Sequence, residues 1–371
     1  MLPFLNPAPT RTLMVHTMPW FEAKPVSKDW GWHWTMGKMD PDKGEIASFY
    51  HPLMGLYDSG DPQAVECQIL LMKFAGIDGV FADWYGDREQ YDYVGIHKNT
   101  QLLLETAKRA GMKFALVYED QTVPNLIKGG RFPESQAVEE GCKLMMRTGE
   151  TWFRSPAYLQ RKGRPVFLVF GPQYYKEDDW KEMFKDLSPQ PAFYTLHHRR
   201  FDWAAGAYDW PLPQGGTVPA NEKRLGFYKE AKDWPDFIPV AYPRFHDYYK
   251  QAGLGYGYDR VEDEGGKTYE NLLTDALKSC ADIVQIATWN DYGEGTIIEP
   301  TEEFGYRDLE ATQRLRKKYL GKLPYTPADL RLPVKLYKLQ KAGNDPIRLE
   351  TISKLLFTGK LVEARKMLQA K

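Results

Sequence analysis

The stretch DPQAVECQILLMKFAGIDGVFADWYG (Asp61 to Gly86) decides the fold. Its Asp-Pro start suits a helix: the Asp side chain can accept orphan backbone N–H groups, and proline's fixed φ fits the first turn. Apolar residues then recur at helical spacing until Gly76 stops the pattern. From Ile77 the character switches to a short apolar run, as expected of a strand buried on both faces. That run ends in Asp83, Trp84 and Tyr85.

The same rhythm extends in both directions. Strand patterns run over Arg11–Phe21, Lys113–Asp120, Arg164–Pro172, Pro191–His198, Ala204–Trp210, Phe237–Phe245 and Asp282–Asn290. Amphipathic helices intervene, such as His97–Met112, whose basic C-terminal residues complement the helix dipole. Eight strand candidates, each followed by a helix or a long loop, predict an α/β fold: a (β/α)8 TIM barrel with enlarged βα loops. A doubly wound sheet is the runner-up, but no glycine-rich dinucleotide fingerprint follows any strand. Lys24–Gly60 and Phe245–Gly266 read as barrel insertions. Past Pro324 strand patterns end. Residues 1–324 are therefore expected to form the barrel, and 325–371 a C-terminal helical extension that turns at Gly359 and packs on the barrel flank.

Composition removes several classes. The 371 residues carry a formal charge of −1 and show no basic stripe, which argues against a nucleic-acid partner. No apolar run approaches the roughly 20 residues that span a bilayer. Cys67, Cys142 and Cys280 are too few and too scattered for a disulfide framework. Neither CxxC nor HExxH occurs, so no metal site is expected. The opening MLPFLNPAPTRTLMV lacks the basic and apolar regions of an export signal, which leaves a cytoplasmic chain, or a periplasmic or extracellular one whose signal has been removed. A monomer is expected. Phe, Trp and Tyr make up 14% of the chain. Rings with an apolar face and a polar handle suit a wet, flat ligand such as a sugar, although large barrels also pack helices with aromatics.

Barrel enzymes place their chemistry at the C-terminal ends of the strands. There this chain offers Trp20 on the first strand, and Asp83, Trp84 and Tyr85 on the second. The third brings Tyr118 and Glu119, the fifth His197, the seventh Tyr242, and the eighth Trp289, Asn290 and Asp291. Each has a plainer reading. Asp83 and Asp209 could equally cap the helices or loops after their strands. His16 suits a satisfied core histidine. His197 and His198 alternate faces, as do Glu119 and Asp120, so at most one of each pair points inward. The alternating Trp30, Trp32 and Trp34 could be a packed hairpin.

The segment TWNDYGEGTIIEPT (Thr288–Thr301) is harder to read as a mere turn. Asp291 and Glu294 stand three apart, among glycines and a tyrosine, at a strand end. WNDYGEGTIIEP resembles the signature of glycoside hydrolase families 99 and 71, the endo-α-mannosidase and α-1,3-glucanase relatives. HPLMGLYDSGDP, AGIDGVFADWYG and MPWF resemble the N-terminal barrel half of the first. The resemblance covers the barrel and excludes the tail. It implies hydrolysis of an α-linked oligosaccharide or polysaccharide, of α-mannan or α-glucan type, with no redox cofactor. Glu294 matches the acid that protonates the leaving oxygen, and Asp291 the second carboxylate. In the endo-α-mannosidase group that second carboxylate is a Glu thought to act as base on the sugar's 2-hydroxyl. Asp is one methylene shorter, so activation of water and direct attack stay open.

Glycoside cleavage independently requires one carboxyl kept protonated and one kept ionised. Glu294 and Asp291 are the candidates for these two catalytic roles. Trp20, Trp84, Tyr85 and Trp289 are candidate sugar platforms, and Asp83, Tyr118, Glu119, His197, Tyr242 and Asn290 candidate hydroxyl-binding groups. Two competing readings are a carbohydrate-binding barrel with impaired catalysis and a metal-assisted hydrolase.

Overall fold

The computed structural model describes residues 11–213, 220–343 and 345–369. Residues 1–10, which carry most of the expectation about an export signal, lie outside the described residues. Parallel strands β1 (Thr12–Thr17), β2 (Gly79–Trp84), β3 (Lys113–Tyr118), β4 (Arg164–Val169), β5 (Ala192–Leu196) and β6 (Gly206–Tyr208) follow one another around a sheet. β7 comes in two halves, Asp236–Ile238 and Val240–Ala241, and β8 is Ile283–Ala287.

Pro239 explains the split. Proline has no N–H for the ladder. The first half of β7 pairs with β6 and the second with β8, while Gln285 N donates to the Pro239 carbonyl at 2.9 Å. β8 in turn pairs with β1, so the sheet closes as a (β/α)8 barrel. A short antiparallel segment, Gln160–Arg161, precedes β4.

The Asp-Pro stretch ahead of β2 forms helix Pro62–Ala75, as its sequence implies. Asp61 Oδ1 accepts from Gln63 N at 3.0 Å, and Gly76 at φ +86° ends the helix. This helix is buried almost all round, which a surface helix is not. Helix Arg331–Lys341 packs on its second apolar face, and helix Pro346–Phe357 touches it through polar side chains. Polar ties fix that contact: Ser353 Oγ donates to Glu66 Oε2 at 2.8 Å, and Lys73 Nζ donates to the Phe357 carbonyl at 2.7 Å. Two short segments differ from expectation. Trp32–Thr35 forms a single helical turn and not a hairpin. The segment after β5 holds no helix; instead Phe201 and Trp203 stack against Phe193, with Trp203 5.5 Å from it and nearly parallel, and cover the strand with rings.

The insertions after β1 and β7 meet above the barrel. Phe49 stacks on His246 at 3.8 Å, and the Tyr50 hydroxyl lies 3.4 Å from His246 Nδ1. Together they wall the end where the strands terminate. Among the described residues no helix is long and apolar enough to cross a membrane.

Candidate active site

The site is built from the tight turn after β8. Thr288 N donates to the Thr296 carbonyl at 2.9 Å, which closes the loop on itself. Thr288 Oγ1 accepts from Asp291 N at 2.8 Å, and Asp291 Oδ1 accepts from Glu294 N at 3.0 Å. The β7 loop clasps the turn through its backbone: His246 N donates to the Glu294 carbonyl at 2.8 Å and Tyr248 N to the Gly293 carbonyl at 2.9 Å. Gly295 sits at φ +68°, and a Cβ there would lie 2.8 Å from the His246 carbonyl oxygen. Only glycine permits that clasp. From β7 the buried Arg244 braces the far side of the loop, donating to the Ile297 carbonyl at 2.9 Å and to Asp308 Oδ2 at 2.6 Å.

Asp291 and Glu294 thereby line a cavity of about 190 Å³. His16, Trp20, Tyr85 and Glu119 line it too. Trp20 stacks on His33, with centroids 4.0 Å apart. Gln121 donates to Glu119 Oε2. Asp83 lies fully buried next to the lining, 3.9 Å from His16 Nε2, and neither of its oxygens meets a donor with hydrogen-bond geometry.

The acidic groups share one electrostatic condition. Burial, then repulsion from Asp291, holds Asp83 well above the usual carboxylate range. Burial and Asp83 do the same to Glu119. Burial pushes Asp291 up to about 7, and the backbone N–H groups of Glu294 and Gly293 oppose that rise. Glu294 is pushed well above its ordinary value by burial and then by the charge of Asp291, with only the Tyr249 hydroxyl bond as its main relief. Of the two, Asp291 has the amides that stabilise a negative charge, and Glu294 feels that charge as a reason to keep its proton. His16 is driven down to about 3 by burial and is neutral.

Of the residues singled out from sequence, Asp291, Glu294, Trp20, Tyr85 and Glu119 line the cavity and Asp83 adjoins it. Trp84 and Tyr118 do not. Their side chains pair across β2 and β3 on the outer face, 5.7 Å apart, and pack against Trp152 and Trp180 of the helical layer. Period-two alternation accounts for this, since Asp83 inward puts Trp84 outward. Trp289 is wholly buried beneath the turn, its backbone N–H donating to the His16 carbonyl at 2.7 Å. Asn290 is a latch: its Oδ1 accepts from Met18 N at 2.8 Å, and its Nδ2 donates to the Met18 carbonyl at 2.9 Å and to Tyr57 Oη at 3.0 Å. His197, at φ +59°, has Nδ1 3.7 Å from Asp209 Oδ1, and Tyr242 is buried outside the lining.

The cavity also includes residues that sequence reasoning does not select. His16 reads from sequence as a core histidine; it is fully buried, and it also lines the cavity. Trp32 and His33 reach the cavity because their segment is a helical turn. Tyr249, deep in the β7 insertion, gives no local signal beyond its place in an aromatic loop.

A superposition with solved structures decides the fold. A family 99 endo-α-mannosidase from Bacteroides thetaiotaomicron matches with a TM-score of 0.62 at 20% identity, covering 83% of this chain and 97% of that one. This chain folds as the same kind of (β/α)8 barrel. In sequence, it is similar to endo-α-mannosidases as well. A glycoprotein endo-α-1,2-mannosidase from Rattus norvegicus is 22% identical, the match covering 85% of this chain and 75% of the rat protein. A glycoprotein endo-α-1,2-mannosidase-like protein from Danio rerio is 24% identical, over 69% of this chain and 60% of that protein. No family model matches the chain.

Proposed function

We propose that this protein is a glycoside hydrolase that cleaves α-mannan-type glycans, with Glu294 as general acid and Asp291 as the ionised partner. The observation that carries the reading is that both carboxyls line one ring-lined cavity at the end of β8, with Asp291 Oδ1 accepting from Glu294 N and Glu294 Oε1 accepting from the Tyr249 hydroxyl. Glu294, kept protonated by burial and then by its neighbour's charge, gives its proton to the leaving glycosidic oxygen. Asp291, steadied by backbone amides, takes a proton or meets the developing charge at the anomeric carbon. The likeness to endo-α-1,2-mannosidases supports mannose in the site.

Asp291 has three chemical uses open to it, each with its own product. As base on the sugar's 2-hydroxyl, or as direct nucleophile, it gives net retention; as base on water it gives inversion. Trp20 and Tyr85 supply faces for the sugar, while Glu119, on the cavity wall, binds a hydroxyl in this reading.

The test is hydrolysis of a panel of α-mannans, α-glucans and mannose-rich glycans, with NMR of the first-formed anomer. Cleavage of the α-mannosides supports the proposal. Tight binding of the same glycans with no product released would move the protein to the binding-only class.

A further inference from the structure

We propose that Tyr256 and Tyr258, on the insertion after β7, form an outer platform that stacks a sugar residue of the glycan beyond the cleavage cavity. The inference rests on the hydrolase reading above and extends its site outward. Both tyrosines are unusually open for large rings, 50% and 43% exposed. They are not scattered. Tyr256 lies 5.1 Å from Tyr249, Tyr258 6.2 Å from Tyr249, and the two outer rings are 6.3 Å apart. Tyr249 lines the cavity and bonds Glu294, so the cluster runs unbroken from the acid to solvent.

The loop is set in this shape by one buried carboxylate. Asp247 Oδ1 accepts from Tyr249 N at 3.1 Å, and Oδ2 from Tyr258 N at 2.8 Å. Both ends of the tyrosine segment are thus pinned to one side chain, through backbone groups alone. A preorganised aromatic surface avoids the entropy of ordering on binding.

Size and chemistry select the occupant. Pockets that enclose a whole drug-sized ligand hold about 300–1,000 Å³. The cavity here, about 190 Å³, is smaller, so a glycan of several sugars must continue past its rim. From Tyr249 on the cavity wall, ring contacts continue to Tyr256 and Tyr258, which offer an apolar face and a hydroxyl edge, the features that suit a sugar's C–H face and hydroxyl rim.

The experiment measures kcat/KM on α-manno-oligosaccharides of increasing length and on α-mannan. It compares the unaltered protein, Tyr256→Ala, the double variant Tyr256→Ala/Tyr258→Ala, and the ring-preserving Tyr256→Phe/Tyr258→Phe. The platform predicts a KM on long substrates raised roughly five- to tenfold in the double alanine variant, less in the single one. It also predicts near-normal kcat/KM on the shortest cleaved oligosaccharide and near-normal behaviour of the Phe variant. Unchanged KM on long substrates in both alanine variants overturns the platform, and so does a loss equal at every length in the single Tyr256→Ala variant. If the unaltered protein neither binds nor cleaves any α-mannoside, the hydrolase proposal itself fails and takes the platform with it.

Discussion

The Tyr249 hydroxyl donates to Glu294 Oε1 across 3.2 Å. Burial keeps the phenol protonated, so it is a permanent donor. A donor favours the ionised carboxyl and so lowers its pKa. Removing it does the reverse. Tyr249→Phe should therefore raise the Glu294 pKa and move the alkaline limb of the kcat–pH profile to higher pH. The pH dependence of kcat on an α-mannoside checks this; a limb that stays in place or moves down would show that Tyr249 does not govern the acid.

In the proposed reaction Asp291 acts in its ionised form, so activity should rise with pH through about 7. The two carboxyls titrate as an interacting pair, so both limbs belong to the pair.

The same shift has a stability consequence. In an unfolded chain an Asp titrates near 3.9, and folding raises Asp291 to about 7. Between these values the unfolded state gives up a proton that the folded state retains. The stabilisation is complete at low pH and is lost as pH rises through 7. Asp291→Asn keeps the oxygen that caps Glu294 N and removes the titration. It should melt roughly 2–5 °C higher than the unaltered protein at pH 8, with the gap closing towards pH 4, and lose about a hundredfold or more in kcat. Thermal melts at the two pH values test the sign.

Asn290 joins the β8 turn to the β1 loop through three buried hydrogen bonds. Asn290→Ala leaves both Met18 backbone groups without partners, at about 1–3 kcal/mol for each stranded group. A lowered urea midpoint should appear, together with a fall in kcat, because Trp20 and Asp291 are held by the two loops that this side chain connects. A midpoint shifted by less than about 0.5 kcal/mol equivalent would mean that solvent or a neighbour takes over the bonds.

Much of the barrel was legible because its strands are apolar runs punctuated by caps and glycines. Asp61-Pro62 and Gly76 marked one helix at both ends, and the runs through Val80 and Val117 could hardly be anything but buried strands. The split at Pro239 and the ring stack at Phe193 were not legible, since both depend on which neighbours the closing sheet supplies. At the site, the β8 turn stood out because both its acids are local in sequence. The inward or outward sense of Trp84 and Tyr118 depended on register, and a slip of one position exchanges the faces. Trp289 and Asn290 show a related limit: residues beside the acids hold the turn from below and do not line the cavity. Tyr249 reaches Glu294 from 45 positions away, through a loop whose path no spacing rule describes.

The most direct measurement is Glu294→Gln assayed on two α-mannosides, one with a sugar leaving group and one with an activated aryl leaving group. A general acid at this position predicts a loss of about 10²–10⁴-fold on the first and a much smaller loss on the second, whose departing group needs no proton. Near-normal turnover of the sugar-leaving substrate, or equal losses on both, would contradict the account.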